Sequence, residues 1–156
     1  MKKLNIVLYT PEIPQNTGNI SRTCAVTGAA LHIIRPTGFE ISDRTLKRAG
    51  LDYWDKLEVY YYDDYADFIA KAGDDAELFF FSSKGERCYT EADYPDGAYI
   101  VFGCETRGLP EEIILNNPER TFRLPMRKTL RCLNLSNAVA IVTYEVLRKW
   151  DFDGLV

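Results

Sequence analysis

The sequence predicts an α/β domain in which a mostly parallel sheet carries helices on both faces. Short apolar segments with strand character alternate along the chain with segments of helical character, which is the pattern of a parallel sheet with helical crossovers. Glycine and proline turn signals separate these segments. The length of 156 residues suits one compact core, so we expect a single domain over residues 1–156.

The predicted strands are short, apolar and bounded by turn residues. They are Asn5–Tyr9, 31–34, 57–62, Leu78–Phe81, Tyr99–Phe102 and 121–124. The Arg35–Pro36 pair ends the second of these strands, and Lys84–Gly85 and Asp96–Gly97 form turns. Because nearly every strand is followed by a helical segment, we expect neighbouring strands to run parallel.

Each predicted helix has a recognisable beginning or end. The first helix is 19–27 with Gly28 as its stop, and the second is 43–49, capped by Ser42 and followed by Gly50. A third helix is capped by Asp63 or Asp64 and ends at Ala72 and Gly73. Pro110 opens a short fourth helix, and the last helix, 135–150, is capped by Asn134 or Ser136. Ligands of such sheets bind in the loops after the carboxyl ends of the strands.

Composition favours a cytoplasmic protein that uses no metal. Hydrophobic residues make up 46% and charged residues 27% of the chain, and the apolar run Leu78–Phe81 is too short to span a bilayer. The apolar start ends at Tyr9, as a first strand would, so we do not interpret it as a secretory signal. The single histidine, His32, lies in an apolar strand and is predicted to be a packing residue. The cysteines lack zinc-ligand or redox spacing, which favours reduced thiols; they are Cys24, Cys88, Cys104 and Cys132.

Charge is distributed unevenly along the chain. The net charge is −4, which alone gives little reason to expect a nucleic-acid partner. Residues 58–77 hold seven acids opposed only by Lys71, whereas residues 120–131 hold five bases and no acid. A second basic group consists of Arg35, Arg44, Lys47 and Arg48. This asymmetry fits one face that binds a polyanion, although a solvated basic loop is the commoner explanation for such a run.

Three polar segments follow predicted strands. The first, residues 11–19, leads into a helix that carries Arg22, and its simpler interpretation is a capped helix start with a surface arginine. The second, residues 102–110, places Glu105 and Arg107 between two glycines, and it is otherwise a tight turn with an exposed ion pair. The third, residues 133–140, combines Asn134, Ser136 and Asn137, of which Ser136 alone would be a plain helix cap.

Together these segments closely resemble the SPOUT (SpoU–TrmD) superfamily of RNA methyltransferases. The motifs are PEIPQNTGNI at 11–20, FGCETRGLP at 102–110 and LNLSNAV at 133–139, and the resemblance covers nearly the whole chain. Within the superfamily the sequence is similar to the small single-domain members, without an RNA-binding extension, that methylate the wobble ribose of tRNA. The resemblance implies a parallel α/β sheet whose C-terminal third forms a deep trefoil knot, a homodimer, and no membrane association.

The resemblance also implies S-adenosylmethionine as methyl donor and S-adenosylhomocysteine as product. The cofactor-binding positions would be Phe81, Gly103, Leu124, Met126, Cys132 and Leu133. Relatives usually have serine where this chain has Cys132. We expect that contact to run through the main chain, so the thiol should be tolerated.

The catalytic positions implied by the resemblance are polar residues of all three motifs. They are Asn16, Arg22, Glu105, Asn134 and Ser136. The RNA-binding positions would be Arg107, Arg127, Lys128 and Arg131, and the partner would be a tRNA anticodon loop. Arg22 normally stays protonated, so either a nearby phosphate helps it to accept the proton of the 2′-hydroxyl or it only positions the substrate.

Two other functions remain compatible with the sequence. One is a ribose methyltransferase of the same fold that acts on rRNA or on another tRNA position; the other is a non-catalytic RNA-binding module. The joint presence of Arg22, Glu105 and Asn134 favours an enzyme.

The final helix predicts a partner surface. Its apolar residues lie on more than one face; they are Val139, Val142, Tyr144, Val146, Leu147 and Trp150. One face packs on the sheet, and the surplus favours a homodimer.

Overall fold

The computed structural model describes residues 1–42, 44, 54–130 and 132–156. Seven strands form one sheet: β1 (Asn5–Tyr9), β2 (Ala30–Ile34), β3 (Val59–Tyr62), β4 (Leu78–Phe81), β5 (Arg87–Cys88), β6 (Tyr99–Phe102) and β7 (Thr121–Arg123). Their spatial order is β3-β2-β1-β6-β4-β7-β5, and every pairing is parallel. The predicted parallel α/β sheet is therefore confirmed.

Four helices belong to the described residues: α1 (Pro14–Thr27), α2 (Tyr65–Ala72), α3 (Glu111–Asn116) and α4 (Leu135–Lys149). Short 3-10 turns occur at Trp54–Lys56, Tyr89–Glu91 and Pro118–Arg120. The predicted helix 43–49 lies outside the described residues except for Arg44. No helix of the described part combines the length and apolar character needed to cross a membrane.

Helices cover both faces of the sheet, as predicted. On one face, Ile20 and Cys24 of α1 and Val139 and Val142 of α4 pack into the larger core. On the other face, Phe68 of α2 and Ile113 of α3 belong to a second core. The side chains of a strand point alternately to the two faces, so Phe79 and Phe81 of β4 enter the first core and Phe80 enters the second.

The caps of the helices explain most of their boundaries. Gly28 ends α1 with a φ of 74°, which a residue with a Cβ rarely adopts. The Asp64 carboxylate accepts a hydrogen bond from the Asp67 N–H, so Asp64 rather than Asp63 caps α2. Asn134 caps α4 by accepting from the N–H groups of Ser136 and Asn137. This settles the choice between Asn134 and Ser136.

The start of the first helix was predicted too late. α1 begins at Pro14 and not at Asn19, so Asn16, Thr17 and Gly18 are buried helical residues and not a loop. Proline at the first helical position is compatible with a helix because its missing N–H would be unpaired there in any case. Packing of α1 against α4 then holds a stretch whose glycine and threonine have low intrinsic helix propensity.

Candidate functional site

The sheet topology brings the first two polar motifs together. β1 and β6 are hydrogen-bonded neighbours, with Leu8 paired to Phe102. The loop after β1 and the loop after β6 therefore leave the sheet at the same edge, side by side. β2 and β3 lie on one side of β1, whereas β6 and the remaining strands lie on its other side. Open α/β sheets bind ligands at positions where the strand order reverses in this way.

Glu105 joins the loop after β6 to the beginning of α1. Its carboxylate accepts hydrogen bonds from the N–H of Glu12 at 2.7 Å and from the N–H of Ile13 at 3.2 Å. A third donor, Nδ2 of Asn16, lies 3.4 Å from Oε1. Hydrogen bonds to an ionised acceptor are stronger than neutral ones, so Glu105 is a strong tie between the first and second motifs.

Asn16 and Asn134 extend this network to the third motif. Nδ2 of Asn134 donates to Oδ1 of Asn16 at 3.0 Å. Oδ1 of Asn134 accepts from the N–H of Ser136 at 2.9 Å and also from the Ser136 hydroxyl. The two amide groups are thereby oriented by their partners, and four of the five predicted catalytic residues form one connected cluster.

The carboxylate of Glu12, in the loop after β1, makes a second connection between the same two loops. Oε1 of Glu12 accepts from the Thr106 hydroxyl at 2.7 Å and from the Thr106 N–H at 3.4 Å. A hydrogen bond from the Cys104 thiol and those from Thr106 lower the pKa of the Glu12 carboxyl from its usual value. Glu12 and Thr106 have no role predicted from the sequence, because only the fold shows that they face each other.

Gly103 allows the loop after β6 to fold back closely. A Cβ atom at this position would lie 2.0 Å from the carbonyl carbon of Gly108 and 2.1 Å from the N atom of Leu109. The N–H of Gly108 donates to the Cys104 carbonyl at 2.9 Å and closes the turn. Gly103 is therefore required by this backbone contact, whatever else it binds.

Arg22, the fifth predicted catalytic residue, lies on α1 beyond this cluster. It is six residues after Asn16, or about 9 Å along the helix axis, and it is exposed. Because α1 starts five residues earlier than predicted, Arg22 lies more than two turns into the helix and not in its first turn. Its side chain interacts with other residues of the fold.

The predicted cofactor positions fall at adjacent strand ends. β4 lies between β6 and β7 in the sheet, so Phe81, Gly103 and Leu124 stand at or just after three neighbouring carboxyl ends. Phe81 is buried, whereas Met126 and Leu133 are 39% and 41% exposed. Exposed apolar side chains beside main-chain groups at this edge fit a flat ring system of a ligand. Cys132 is exposed next to Leu133.

The basic residues assigned to RNA line the exposed side of the same loops. Arg107 follows the Glu105–Thr106 pair, and Arg127 and Lys128 follow β7; all three are exposed. None of these three takes part in an ion pair with another described residue. Arg131 lies outside the described residues, as do Lys47 and Arg48.

His32 is a packing residue, as predicted. It is buried, and it lies between the Tyr62 hydroxyl, 2.7 Å from Nδ1, and Oδ1 of Asn5, 3.0 Å from Nε2. Its ring stacks on Tyr60 with centroids 4.8 Å apart. Burial lowers the pKa of His32 to about 4. In the described part of the chain, no three His, Cys, Asp or Glu side chains are grouped closely enough to hold a metal ion.

A cavity of about 500 Å³ lies at the opposite edge of the sheet. Glu77 and Arg120, two of its lining residues, immediately precede β4 and β7, so the cavity opens at the amino ends of these strands. Both arginines that line it have partners, because Arg120 pairs with Glu77 and Arg87 donates to the Glu119 carbonyl. The predicted site does not lie in this cavity, because its residues are in the loops at the carboxyl ends of the strands.

Comparison with known proteins agrees with the three motifs. The model of the SpoU rRNA methylase family matches residues 3–144. The tRNA (cytidine(34)-2′-O)-methyltransferase of Escherichia coli K12 is 49% identical over 154 residues, which cover 98% of each chain. The resemblance inferred from the sequence is thus confirmed.

Solved structures give the same result. A structure described as giving insights into the 2-OH methylation of C/U34 on tRNA is 45% identical, has a TM-score of 0.91, and covers 97% of this chain and 98% of its own. The methyltransferase AviRb of Streptomyces viridochromogenes, solved with AdoMet, is 21% identical with a TM-score of 0.82 and is covered over 59% of its length; this similarity concerns the fold alone. The chain belongs to the SpoU rRNA methylase family.

Proposed function

We propose that this protein transfers a methyl group from S-adenosylmethionine to the ribose 2′-hydroxyl of nucleotide 34 in a subset of tRNAs. The observation that carries the proposal is the end-to-end similarity to the E. coli tRNA (cytidine(34)-2′-O)-methyltransferase. The geometry supports it, because Glu105, Asn16, Asn134 and Ser136 form one hydrogen-bonded cluster at the sheet edge. RNA is usually read through unpaired nucleotides, and an anticodon loop exposes their 2′-hydroxyls.

S-adenosylmethionine supplies, when bound, an electrophilic methyl group on a sulfonium centre. The residues that would hold it are at the carboxyl ends of β4, β6 and β7 and before α4: Phe81, Gly103, Leu124, Met126, Cys132 and Leu133. The exposed apolar surface of Met126 and Leu133 provides a wall for the adenosine. Cys132 acts through its main chain, so Cys132→Ser should leave activity within a few-fold of the parent.

The protein's own residues align the hydroxyl and the RNA backbone. Methyl transfer needs an in-line approach and the loss of one proton, so positioning supplies much of the rate. Arg22 holds an RNA phosphate beside the target ribose and keeps its charge. Asn134 is neutral and exposed, which lets it orient polar atoms of the substrate without adding charge. The buried Asn16 holds the amide group of Asn134 in a fixed orientation.

The proposed enzyme is a knotted homodimer. The protein forms a homodimer through the exposed faces of α1 and α4, where Val26, Ile141 and Tyr144 are 61%, 40% and 48% exposed. Its C-terminal third forms the deep trefoil knot of the SPOUT superfamily, and the enzyme acts on tRNA in the cytoplasm. Arg107, Arg127 and Lys128, with Arg131, contact the phosphates that flank the target nucleotide.

The test is a methylation assay with purified protein and labelled S-adenosylmethionine. The substrates are unmodified tRNA transcripts and native tRNA from a strain lacking the enzyme, because earlier base modifications could be required for recognition. We expect label on the 2′-oxygen of nucleotide 34, and Arg22→Ala should abolish it while binding of the cofactor, measured by calorimetry, stays nearly unchanged. Label only in rRNA, or on a base, would contradict the proposed substrate.

A further inference from the structure

We propose that Glu12 and Thr106 are positioning residues for methyl transfer, because they form half of a reciprocal clamp between the loops after β1 and β6. The reciprocal clamp consists of the Glu105 carboxylate on the N–H groups of Glu12 and Ile13, and of the Glu12 carboxylate on the N–H and hydroxyl of Thr106. The inference deepens the proposed function and rests on it, since the positioned reaction is ribose methylation.

In the two halves of the clamp, the loops after β1 and β6 exchange the roles of donor and acceptor. Glu105, in the loop after β6, accepts from Glu12 and Ile13 in the loop after β1. Glu12 in turn accepts from Thr106 in the loop after β6. Four hydrogen bonds thus join two segments that are more than 90 residues apart in sequence. Such a pair of ties resists sliding of one loop along the other, which a single bond would allow.

Ionisation of Glu12 strengthens its half of the clamp. The Thr106 hydroxyl and N–H donate to it. The Cys104 side chain, these bonds from Thr106 and the positive charge of Arg107 lower the pKa of the Glu12 carboxyl. The segment that contains Gly38 packs against the backbone of Glu12. A Cβ atom at Gly38 would lie 2.8 Å from the Cα of Glu12, and the Gly38 N–H donates to the Pro11 carbonyl at 2.9 Å.

The clamp sets the position at which α1 begins. Ile13 is the residue before the first helical residue, Pro14, and no side chain caps this helix end. The carboxylate of Glu105 binds the Ile13 N–H from the neighbouring loop. The position of α1, and with it of Asn16 and Arg22, therefore depends on the two loops staying in register.

Thr106 offers the cleanest way to test this half of the clamp. Thr106→Val removes the hydroxyl donor and keeps the shape of the side chain, and Thr106→Ser restores the hydroxyl. Because Thr106 is exposed, neither change should prevent folding. Glu112→Gln, on the exposed surface of α3, is the control for loss of a carboxylate in Glu12→Gln.

The first measurement is amide hydrogen exchange of residues 10–16 in the free protein, which needs no substrate. We expect faster exchange at Glu12 and Ile13 in Thr106→Val and Glu12→Gln, and parental exchange in Thr106→Ser and Glu112→Gln. Parental exchange in the first two variants would overturn the clamp itself. This result is independent of whether the proposed tRNA substrate is correct.

The second measurement is single-turnover methylation of tRNA nucleotide 34. In Thr106→Val the methyl-transfer rate should fall by about tenfold, because even small misplacements of reacting groups slow a reaction. The affinities for S-adenosylmethionine and tRNA should stay within about twofold of the parent. Thr106→Ser should recover the rate, and the Glu12→Gln/Thr106→Val double variant should be no slower than the slower single variant. An unchanged rate in Thr106→Val, or an equal loss of binding, would overturn the positioning role. An inactive parent protein would instead refute the proposed function.

Discussion

Asn16 shows how one side chain connects two motifs through its two different atoms. Nδ2 donates to the Glu105 carboxylate at 3.4 Å, and Oδ1 accepts from Asn134 at 3.0 Å. This assignment of the amide is the only one that gives Glu105 a donor and Asn134 an acceptor. The side chain is 5% exposed, so an aspartate in its place could not keep both contacts.

Asn16→Asp should therefore destabilise the protein. The substitution keeps the size of the side chain but places a second carboxylate against Glu105 in a buried position. We expect the free energy of unfolding at pH 7 to fall by about 1–3 kcal/mol, measured by urea denaturation. Asn19→Asp, on the exposed side of the same helix, should change it by less than about 0.5 kcal/mol. Equal effects of the two substitutions would contradict the proposed contact.

His32 makes the stability of the fold depend on pH. The Asn5 side chain donates through Nδ2 to the Gly97 carbonyl, so its Oδ1 accepts from Nε2 of His32, and Nδ1 accepts from the Tyr62 hydroxyl. The ring is neutral in this arrangement. Burial lowers the pKa of His32 from 6.5 to about 4, so between these values the unfolded chain binds a proton that the folded protein does not.

The stability supplied by neutral His32 should be complete above pH 6.5 and should decline as the pH falls towards 4. Between pH 7 and pH 5 we expect the free energy of unfolding to decrease by roughly 2 kcal/mol. His32 is the only histidine in the chain, so His32→Gln should remove this slope in urea denaturation series. A parent protein equally stable at both pH values would exclude the proposed neutral ring.

At the scale of whole elements, Asn134 has two roles that substitution can separate. Its Oδ1 caps α4, and its Nδ2 reaches Asn16 on α1. Serine is as good a helix cap as asparagine but too short to reach Asn16. Asn134→Ser should keep the melting temperature near the parent value and lower methyl transfer, whereas Asn134→Ala should also cost about 1 kcal/mol of stability. If both variants lose the same stability, the cap is not the main contribution of Asn134.

The elements that the sequence predicted best are those whose signals are local. β1, β4 and β6 have the predicted bounds because each is a short apolar run between turn residues. The end of α1 at Gly28 and the start of α2 at Asp64 follow from capping chemistry. β5 was not predicted, because it has only two residues and exists through its pairing with β7.

The parts of the site that were not predicted depend on interactions between distant segments. Propensity alone indicated a loop at Asn16, although packing of α1 against α4 makes it helical. Glu12 and Thr106 carry no local signal, since they meet only because β1 and β6 are neighbours. Sequence similarity identified Glu105 and Asn134 without indicating that Asn16 links them.

At the scale of the whole molecule, α4 keeps exposed apolar side chains in addition to those that it buries. Five predicted apolar residues of α4 and its C-cap point into the core or its border, namely Val139, Val142, Val146, Leu147 and Trp150. The surplus is Tyr144, joined by Ile141 on the same side of α4. Positions 141 and 144 are three apart, so their side chains are neighbours on the helix surface.

Charge on this surface should separate the protomers of the proposed homodimer. The parent protein should sediment as a dimer at micromolar concentration, and the Ile141→Glu/Tyr144→Glu double variant as a monomer, because dimer formation would bury both carboxylates. Leu115→Glu, on α3 at the other face of the sheet and 70% exposed in the parent, should remain dimeric. A parent protein that sediments as a monomer would refute the homodimer.

The distribution of charge over the whole molecule leads to the last prediction. Although the net charge is −4, Arg127 and Lys128 are exposed beside the proposed cofactor residues and have no ion pair with another described residue. A tRNA bound at this edge would release counterions when its phosphates meet these cations, so its affinity should fall steeply with salt.

Replacing both residues with alanine should weaken tRNA binding and flatten its salt dependence. For each phosphate that the variant no longer neutralises, the slope of log K against log salt should decrease by about 0.7–0.9, measured by fluorescence anisotropy between about 50 and 200 mM salt. Lys71→Ala is the control, since Lys71 is paired with Asp67 on α2 and lies within the acidic segment 58–77. If the double variant has the parental slope, tRNA does not touch this loop through its phosphates, and the basic residues 120–131 are only a solvated surface.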